Sequence, residues 1–511
     1  MMSKSQNVGK PLTELLGKYV TSGTVPDIDI VDITSNSRAV GQGSLFIALP
    51  GRNSQGIDFA IDAVKSGAVA VIYDAGDEYC VRRVPLLSKQ VQTSWIGIKG
   101  LDRINGEIVS RFYGEPGRYL NIIGITGTDG KTSVTHLITQ ALTRMGKSVA
   151  SIGTLGYGIG NRLDPASHTT PDAVTLQSYL HEFHRQNCDY VIMEVSSHSL
   201  QQYRVSGCHF DIAVLTNLGR DHLDYHQDID QYAEAKGRLF RDFDLSARVL
   251  NIDDRFGRQL ADEFKSNGKI RYSVLPPGEN RNADADVEVY LLNSEVTEQG
   301  LNLDVMTPIG EIHASTALIG QFNIDNTVAC ISSLVASGLE REQIQLGVTG
   351  LQAIPGRMEK FSGDATRPAA VIDFAHTEQA LRACLMASRE YTNGQLWCVF
   401  GCGGDRDQGK RRGMGRAAEE LADRIIITDD NPRTEDPEKI VSDIREGLES
   451  PNNSCVVHDR QAAIEYALSE ANSGDLVVIA GKGHEQEQII GHERYPFSDR
   501  HVVQRFIQAR T

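Results

Sequence analysis

The sequence lacks any run of about 18 apolar residues, the length that a helix needs to cross the hydrocarbon core of a bilayer. Residues 1–20 are mixed and polar, without the apolar stretch and small-residue cleavage site of a secretion signal. We therefore expect a cytoplasmic protein with no membrane insertion.

Basic residues are also few, since 51 lysines and arginines stand against 67 aspartates and glutamates, for a net charge of −16. Nucleic acids and anionic membranes are bound through basic surface, so we expect no nucleic-acid partner. The eight cysteines are scattered and none forms a C-x-x-C pair. This spacing favours reduced, buried thiols over a metal or redox site.

The length of 511 residues is too great for one hydrophobic core and predicts about three domains. Short apolar runs alternate with turns and helical stretches, which predicts an α/β protein with parallel sheets covered by helices. We place the domains at residues 1–100, 101–351 and 352–511. Residues 286–307 alternate in polarity and predict antiparallel strands. The other strands are predicted at residues 44–49, 68–73, 95–98, 119–126, 190–195, 212–216, 369–374, 396–401, 424–428, 454–458 and 475–480.

Residues 124–132, GITGTDGKT, follow an apolar strand and open a helix, as a phosphate-binding loop does. The glycines let backbone N–H groups approach phosphates, Lys131 would neutralise their charge, and the Thr132 hydroxyl would bind Mg²⁺. The spacing departs from the usual G-x-x-x-x-G-K-[ST], because Ile125 stands six residues before the lysine. A glycine-rich turn without a ligand is the alternative.

The loop resembles that of the Mur ligase superfamily, which includes the folylpolyglutamate synthetases, although Asp129 stands where the family usually has asparagine. Further segments are similar to the branch that adds the third residue of the peptidoglycan stem peptide. They are residues 168–172 (HTTPD), 194–198 (EVSSH), 216–226 (TNLGRDHLDYH), 232–236 (YAEAK), 320–326 (GQFNIDN), 355–359 (PGRME), 373–376 (DFAH), 401–406 (GCGGDR), 429–434 (DDNPRT) and 481–485 (GKGHE).

The resemblance implies three domains: a UDP-substrate-binding α/β domain, a central P-loop ATPase-type domain, and a C-terminal Rossmann-like domain that binds an amino acid. It implies Mg²⁺ held by Thr132, Glu194, His222 and Lys236, the lysine as a carbamate. Without the resemblance, Glu194 and His222 are polar residues at strand ends and Lys236 is a solvated helical lysine. The resemblance also implies catalytic roles for Lys131, Lys236, Glu194 and His222.

The resemblance also assigns residues to each substrate. ATP is expected at Gly127, Thr128, Asp129, Gly130, Lys131, Thr132, Asn323, Asn326, Arg357 and Asp373. Asn323 could equally be the N-cap of a helix. The UDP-muramoyl dipeptide is expected at Ser37, Thr169, Thr170, Ser196, Gln202 and Arg204, although Asn36 precedes Ser37 where the family usually has aspartate. Diaminopimelate is expected at Arg406, Asp430, Asn431, Pro432, Arg433, Gly481 and Glu485.

The activity that the resemblance implies is ATP-dependent addition of meso-diaminopimelate to the D-Glu of UDP-N-acetylmuramoyl-L-Ala-D-Glu, through an acyl phosphate, by a monomer. Relatives that add lysine usually lack an arginine after Asn-Pro. Arg433 therefore favours diaminopimelate, because a guanidinium can pair with the extra carboxylate. A lysine-adding or folylpolyglutamate-type ligase is the alternative, as is a nucleotide-binding regulator without turnover.

Overall fold

The computed structural model describes residues 9–20, 25–51, 54–160, 162–166, 168–219, 221, 223–264, 268–275, 287–297 and 299–508. They divide into two compact units. The first unit is drawn from residues 1–273, 286–288 and 329–340, and the second from residues 274–285, 289–328 and 341–511. Among the described residues, no helix is both long enough and apolar enough to span a membrane.

The first unit begins with a four-stranded parallel sheet in the order β3-β4-β5-β6. Apolar side chains cover both faces, which explains why the strand Ser44–Ala48 is buried along its whole length. The helix Leu101–Phe112 belongs to one of these cores. The elements are β1 (Lys10–Pro11), α1 (Leu12–Leu16), β2 (Asp29–Ile30), β3 (Asp32–Thr34), β4 (Ser44–Ala48), α2 (Ala60–Lys65), β5 (Ala68–Asp74), α3 (Glu78–Leu87), β6 (Ser94–Ile98) and α4 (Leu101–Phe112).

The same unit contains a larger sheet with parallel strands in the order β8-β11-β7-β12-β13-β14, extended at one edge by antiparallel β9 and β10. Its carboxyl edge carries the glycine-rich loop. The elements are β7 (Asn121–Thr126), α5 (Lys131–Arg144), β8 (Val149–Gly153), β9 (Gly156–Ile159), β10 (Arg162–Asp164), α6 (Ala173–Arg185), β11 (Tyr190–Glu194), α7 (Ser197–Gln201), β12 (Ile212–Leu215), α8 (Leu223–His226), α9 (Ile229–Arg241), β13 (Ala247–Asn251), α10 (Arg255–Glu263) and β14 (Lys269–Ser273).

Three antiparallel strands follow in the second unit, as the alternating pattern predicts, and their third member lies beyond the predicted range. The next helix begins at Phe322, so the interpretation of Asn323 as its N-cap is wrong: Asn323 lies within the first turn. These elements are β15 (Val289–Thr297), β16 (Gly300–Thr307), β17 (Gly310–Thr316), α11 (Phe322–Ala336) and α12 (Arg341–Val348).

The rest of the second unit is a six-stranded sheet in the order β18-β19-β23-β20-β21-β22, parallel except for β18. Helices cover both faces. The elements are β18 (Glu359–Phe361), β19 (Ala369–Asp373), α13 (Glu378–Arg389), β20 (Leu396–Phe400), α14 (Lys410–Leu421), β21 (Arg424–Ile427), α15 (Pro437–Arg445), β22 (Ser454–Val456), α16 (Arg460–Glu470), β23 (Leu476–Ala480), β24 (Glu487–Ile490), β25 (Glu493–Pro496) and α17 (Asp499–Gln508).

The α/β class with mainly parallel sheets is therefore confirmed. The predicted strands at residues 44–49, 190–195 and 396–401 agree with the structure to within one residue at either end. All eight cysteines are unpaired thiols, and most of them are buried.

Candidate active site

A glycine-rich loop joins strand β7 to helix α5. Gly127 has a φ of 153° and Gly130 a φ of 81°, in the region that side chains disfavour. A Cβ on Gly127 would lie 1.8 Å from Oγ1 of Thr216, so a larger residue does not fit. Helix α5 begins at Lys131, and the N–H groups of its first turn have no intrahelical partners. The loop and the helix N-terminus together can bind an anion such as a phosphate.

The end of strand β12 holds this loop in place. Oγ1 of Thr216 donates a hydrogen bond of 2.6 Å to the Asp129 carbonyl, and the Asp129 N–H donates one of 2.9 Å to Oδ1 of Asn217. The Thr128 N–H donates to the Asn217 carbonyl at 3.0 Å. These bonds involve the backbone of Asp129, and its side chain is exposed. The loop conformation therefore does not depend on the carboxylate at this position.

Two lysines converge on the carbonyl of Gly127. Nζ of Lys131 donates to the carbonyls of Gly127 and Thr128, both at 2.8 Å, and Nζ of Lys236 donates to Gly127 at 2.6 Å. Lys236 lies on α9 and is only 1% exposed. Burial, and then the charge of Lys131, hold the pKa of Lys236 well below its ordinary value. A lowered pKa favours the neutral, nucleophilic amine.

Glu194 is the last residue of β11, the neighbour of β7 in the sheet. Its Oε2 accepts hydrogen bonds from the hydroxyls of Thr132, at 2.9 Å, and Thr154, at 3.1 Å. Its Oε1 accepts from the Thr154 N–H at 2.8 Å. Gly153 leaves room for the carboxylate, because a Cβ there would lie 2.3 Å from Oε1. Burial raises the pKa of Glu194, opposed by the Thr154 amide and the charge of Lys131.

The Thr132 hydroxyl and the Glu194 carboxylate provide oxygen donors of the kind that Mg²⁺ prefers. Thr132 lies in the first turn of α5, where nucleotide phosphates are expected, and the Glu194 carboxylate accepts its hydrogen bond. The donor set therefore fits a magnesium ion. His222, which the sequence analysis places in the same set, lies outside the described residues.

The residues expected to bind the UDP-muramoyl dipeptide continue outward from Glu194. Oγ1 of Thr170 donates to the Glu194 carbonyl at 2.9 Å and accepts from the Ser196 N–H at 3.1 Å. The Arg204 guanidinium donates to the Thr170 carbonyl at 3.1 Å, and its other two nitrogens donate to Oε1 of Gln202 at 2.6 and 2.9 Å. These four residues therefore form one connected polar surface beside Glu194.

Thr169 joins the same surface through its hydroxyl, which lies 3.1 Å from that of Thr154. Ser37 does not join it: it lies in a short 3₁₀ helix, Ser37–Ala39, after β3, and no hydrogen bond among the described residues connects it to this surface. Asn36 caps that helix by accepting from the Arg38 N–H at 3.0 Å. Asparagine thus performs the capping that an aspartate would perform at this position.

The residues of the second unit that are expected to contact ATP are partly engaged by the protein itself. The carboxylate of Asp373 accepts from the backbone N–H groups of Met358 and Ala375, both at 2.8 Å, and burial raises its pKa. The Arg357 guanidinium lies 5.0 Å from the centre of the Phe374 ring, and its buried Nε has no hydrogen-bond partner among the described residues. Asp373 therefore fixes the turn that presents Arg357.

Asn323 and Asn326 are both buried on α11. The side-chain amide of Asn323 donates to the Ile319 carbonyl at 2.8 Å, and that of Asn326 donates to Oδ1 of Asn323 at 3.0 Å. The two amides therefore order the entry to the helix.

Arg433 lies in a turn and has a left-handed backbone conformation. Arg433 has a φ of 52°, its N–H donates to the Ile489 carbonyl at 3.1 Å, and its carbonyl accepts from the Gly491 N–H at 2.7 Å. Nη1 of the guanidinium donates to the Gly404 carbonyl at 2.8 Å and lies 3.4 Å from that of Asn431. Within the described part of the chain, Nε and Nη2 have no partner, so one edge of the guanidinium is available to a carboxylate.

Asn431 and Glu485 belong to one buried network with Lys482. Nδ2 of Asn431 donates to Oε2 of Glu485 at 2.9 Å, and Nζ of Lys482 donates to the same Oε2 at 2.8 Å. Oδ1 of Asn431 accepts from Lys482 at 3.0 Å and from the Ile489 N–H at 2.9 Å. The network fixes Asn431 and one oxygen of Glu485.

The second arginine of the pocket lies beside the first. A Cβ on Gly403 would lie 2.9 Å from Nη1 of Arg433 and 3.7 Å from Cγ of Arg406, so the two arginines flank the same glycine. Arg406 is exposed. The two arginines therefore bring guanidinium groups to an edge of the sheet that also carries the carboxylates of Asp430 and Glu485.

Asp430, Pro432 and Gly481 complete the predicted set at the same edge. A Cβ on Gly481 would lie 2.6 Å from Oδ2 of Asp430, and burial raises the pKa of that carboxyl. The Pro432 carbonyl accepts from the Glu435 N–H at 3.2 Å, which closes the turn. The structure therefore brings the seven residues expected to bind the amino acid to the carboxyl ends of β20, β21 and β23.

Several residues that shape the site were missed by the sequence reasoning. Lys482 lies inside the quoted segment GKGHE, but a lysine there gives no sign of its burial. Thr154 and Gln488 belong to no quoted segment, and Nε2 of Gln488 donates to the Asp430 carbonyl at 2.8 Å. Arg411 is fully buried and pairs with Glu435. The sequence could have indicated the pair of Arg411 and Glu435, because a charged residue on the buried face of a helix requires a partner of opposite charge.

Models of the Mur ligase family match three consecutive parts of the chain. The Mur ligase family catalytic domain matches residues 29–113, the Mur ligase middle domain residues 125–334, and the Mur ligase glutamate ligase domain residues 356–483. The chain therefore has the three-domain architecture of that family.

Proteins named UDP-N-acetylmuramoyl-L-alanyl-D-glutamate–2,6-diaminopimelate ligase are similar to almost the whole chain. That of Alkalilimnicola ehrlichii is 42% identical over 494 residues, which cover 96% of this chain and 97% of the relative. That of Pseudomonas aeruginosa is 41% identical over 485 residues, covering 94% and 96%.

A solved structure with the same enzyme name is 33% identical, with a TM-score of 0.73 over 98% of this chain and 99% of the other. A Mycobacterium tuberculosis folylpolyglutamate synthase, solved with ADP and AMPPCP, has a TM-score of 0.58 at 20% identity, over 75% and 92% of the two chains. The latter shows a common fold alone. On the three domain matches and the full-length similarity, the chain belongs to the Mur ligase family.

Proposed function

We propose that the chain is an ATP-dependent ligase that joins meso-diaminopimelate to the D-Glu of UDP-N-acetylmuramoyl-L-alanyl-D-glutamate, a step of peptidoglycan synthesis. The observation that carries the acceptor assignment is the pocket at the carboxyl edge of the second unit's sheet. It offers a guanidinium edge from Arg433 and a carboxylate oxygen from Glu485. Those groups complement a molecule whose distal end bears both a carboxylate and an ammonium group.

The nucleotide is proposed to bind at the glycine-rich loop, with its phosphates on the N–H groups of residues 127–132. Lys131 now donates to two loop carbonyls, and it would turn to the transferring phosphoryl group, where its charge stabilises the transition state. Asn323, Asn326, Arg357 and Asp373 are proposed to serve the remainder of the nucleotide. The free Nε of Arg357 supports this role.

Mg²⁺ would be held by Thr132 and Glu194, whose oxygens lie 2.9 Å apart. His222 and carbamylated Lys236 complete the set on the family resemblance. The ion supplies charge neutralisation for the phosphates when it is bound.

Carbamylation of Lys236 is the part of this proposal that concerns the chain's own chemistry. The neutral Nζ attacks carbon dioxide, an N–C bond forms as the electron pair of one C–O π bond moves to oxygen, and the nitrogen releases a proton. The neutral amine thereby becomes a carboxylate-like anion. The near-complete burial of Lys236 beside Lys131 supports it, because two adjacent ammonium groups repel one another. A carboxylate at this place would also suit a divalent cation.

The reaction is proposed to have two steps. An oxygen of the D-Glu side-chain carboxylate attacks the γ-phosphorus of ATP, the bond to the β–γ bridging oxygen breaks, and ADP leaves with the electron pair. The amine of diaminopimelate then attacks the acyl carbon and loses a proton, while the C–O bond breaks and phosphate departs. The protein contributes positioning and compensation of charge rather than a nucleophile.

The surface formed by Thr169, Thr170, Ser196, Gln202 and Arg204 is proposed to bind the muramoyl dipeptide, and Ser37 the uridine end. The surface adjoins Glu194, so a carboxylate bound there lies near the phosphate loop. Arg204 suits a carboxylate of the peptide, and the hydroxyls suit sugar and amide groups.

We propose that domains divide near residues 100 and 351, and that the enzyme acts as a monomer in the cytoplasm, where ATP and its UDP-activated substrate are available. Helix α4 packs in the core of the first sheet, which favours a first boundary at the carboxyl end of that helix, after residue 112 rather than at residue 100.

The test is phosphate release by the purified chain with ATP and Mg²⁺. Release should require both the UDP-muramoyl dipeptide and an amino acid. In a panel of acceptors, meso-diaminopimelate should exceed L-lysine, and a folate substrate should not replace the dipeptide. When the D-Glu carboxylate carries ¹⁸O, one label should appear in the released phosphate. Nucleotide binding without turnover would instead support a regulator.

A further inference from the structure

Lys482 is a fully buried lysine directly after β23, in the amino-acid pocket. Its Nζ lies 2.8 Å from Oε2 of Glu485 and 3.0 Å from Oδ1 of Asn431. An ammonium group removed from water is strongly destabilising unless it is paired and hydrogen-bonded. An apolar side chain would be less costly to bury at this position, so we infer that the lysine has a function in the pocket.

The task concerns the two oxygens of Glu485, which are used differently. Oε2 accepts from both Lys482 and Nδ2 of Asn431, at 2.8 and 2.9 Å. Oε1 has no hydrogen-bond donor among the described residues, and the side chain is 33% exposed. The carboxylate is thus anchored by one oxygen and presents the other toward the pocket.

The charges around Glu485 make this anchor important. The negative charge of buried Asp430 and the positive charge of Arg460, which pairs with Asp499 at 2.8 Å, both act on Glu485. Burial acts to raise the pKa of Glu485, but the hydrogen bond and charge of Lys482, then Asn431 and His484, hold it below its ordinary value. Without Lys482 the largest influence that lowers the pKa of Glu485 is lost, so burial raises that pKa above its wild-type value.

We propose that Lys482 is a positioning residue for amino-acid selection: it orients Glu485 as the charged acceptor for the distal ammonium group of the incoming diamino acid. This inference rests on the proposed function. Lys482 itself does not touch the amino acid, because its Nζ is buried behind the two side chains that it holds.

The contacts also separate this role from general support of the fold. Asn431 also accepts from the Ile489 N–H at 2.9 Å, a bond that does not involve Lys482 and that its substitution should leave in place. Gln488 independently holds the Asp430 carbonyl at 2.8 Å, and Arg433 is held by the backbone of residues 489 and 491. Loss of Lys482 should therefore leave the turn in place and leave Asn431 as the remaining donor to Oε2 of Glu485, so that the carboxylate loses its charged partner and becomes less strictly oriented.

The experiment measures steady-state kinetics for Lys482→Met, with Lys439→Met on the exposed face of α15 as the matched control. At pH 7, Lys482→Met should raise KM for diaminopimelate by about tenfold or more, as expected for loss of an oriented charged acceptor. Its kcat and the KM values for ATP and the muramoyl dipeptide should change by less than about threefold, the range of context effects on such interactions.

The pH profile gives the readout that a structural role would not move. In Lys482→Met burial raises the pKa of Glu485 above its wild-type value, so the carboxyl binds a proton at a higher pH. KM for diaminopimelate should then increase as the pH is lowered over a range in which the wild-type KM stays constant. The wild type should lack this trend. It should also disappear in the double variant Lys482→Met with Glu485→Gln, which has no carboxyl to titrate.

Lys482→Gln, which keeps a donor without the charge, serves if the Met variant does not fold, and should show the same pH trend. An unchanged KM for diaminopimelate, equal increases in KM for all three substrates, or a pH trend that survives Glu485→Gln would each overturn the proposal. Absence of ligation by the wild type would instead refute the proposed function, so the two failures are distinguishable.

Discussion

Replacing Arg433 by alanine should remove the preference for diaminopimelate while leaving the surrounding turn intact. The turn is held by backbone bonds from Arg433 to Ile489 and Gly491, at 3.1 and 2.7 Å, which the substitution retains. The positive φ of 52° is equally unfavourable for arginine and alanine, so backbone strain does not change. The side-chain bonds lost among the described residues are those from Nη1 to the Gly404 carbonyl, at 2.8 Å, and to the Asn431 carbonyl, at 3.4 Å.

The magnitude follows from the two guanidinium nitrogens that remain available, Nε and Nη2. Each can make one charge-assisted hydrogen bond to the second carboxylate of diaminopimelate, and such bonds contribute roughly 1.5–3 kcal/mol. Their joint loss should remove about 3 kcal/mol of transition-state stabilisation, which reduces kcat/KM for diaminopimelate on the order of a hundredfold. L-Lysine has no carboxylate at that end, so its use should be nearly unchanged.

The assay compares kcat/KM for both amino acids in wild type, Arg433→Ala and Arg433→Lys. Lysine at this position keeps the charge but cannot pair with a carboxylate through two parallel bonds, so it should recover only part of the loss. Arg494→Ala, an exposed arginine on the neighbouring hairpin, is the matched control. If the wild type uses both amino acids equally, or Arg433→Ala loses both in proportion, the assigned role of Arg433 is wrong.

Three further substitutions test other parts of the account. Lys131→Ala should abolish ligation with an unchanged thermal unfolding temperature, and near wild-type turnover would contradict the phosphate-loop assignment. Lys236→Ala should lose activity that a short carboxylic acid partly restores, and mass spectrometry of the native chain should detect the carbamate, whereas an unmodified lysine in metal-loaded protein would count against it. Glu435→Gln should destabilise the fold by about 2 kcal/mol at pH 7, because hydrogen bonding to buried Arg411 lowers the pKa of Glu435 to about 2. A carboxyl whose pKa is lowered in the fold stabilises the fold at pH values above its ordinary pKa. The wild type should therefore lose that stability as the pH falls from 4.5 to about 2. The free energy of unfolding of the variant, measured by urea titration, should depend less on pH over this range.

The sequence alone predicts much of the fold because parallel strands buried on both faces are short, continuous apolar runs. Residues 396–401 and 475–480 are examples, and their turns necessarily meet at one sheet edge. Strand β13 and the hairpin of β24 and β25 were not predicted. Their residues are more mixed in polarity, so the pattern does not separate them from loops.

The site was predictable where chemistry is tied to sequence spacing, and less so where it depends on contacts. Lys131 and Thr132 follow directly from the loop that precedes a helix. The burial of Lys482 and the Thr154 hydroxyl on Glu194 arise from packing between distant segments, which spacing does not encode. Asn323 looked like an N-cap because asparagine is common there, but its amide instead serves a carbonyl four residues earlier.

The central claim is that this chain forms an amide between the muramoyl dipeptide and diaminopimelate. The most direct measurement is a competition: purified protein, ATP, Mg²⁺ and UDP-N-acetylmuramoyl-L-alanyl-D-glutamate with equal concentrations of meso-diaminopimelate and L-lysine, and products identified by mass spectrometry. We expect one dominant product, the diaminopimelate adduct, in excess over the lysine adduct by about a hundredfold, with one ADP formed per adduct. Comparable amounts of the two adducts, or ADP formation without either, would contradict it.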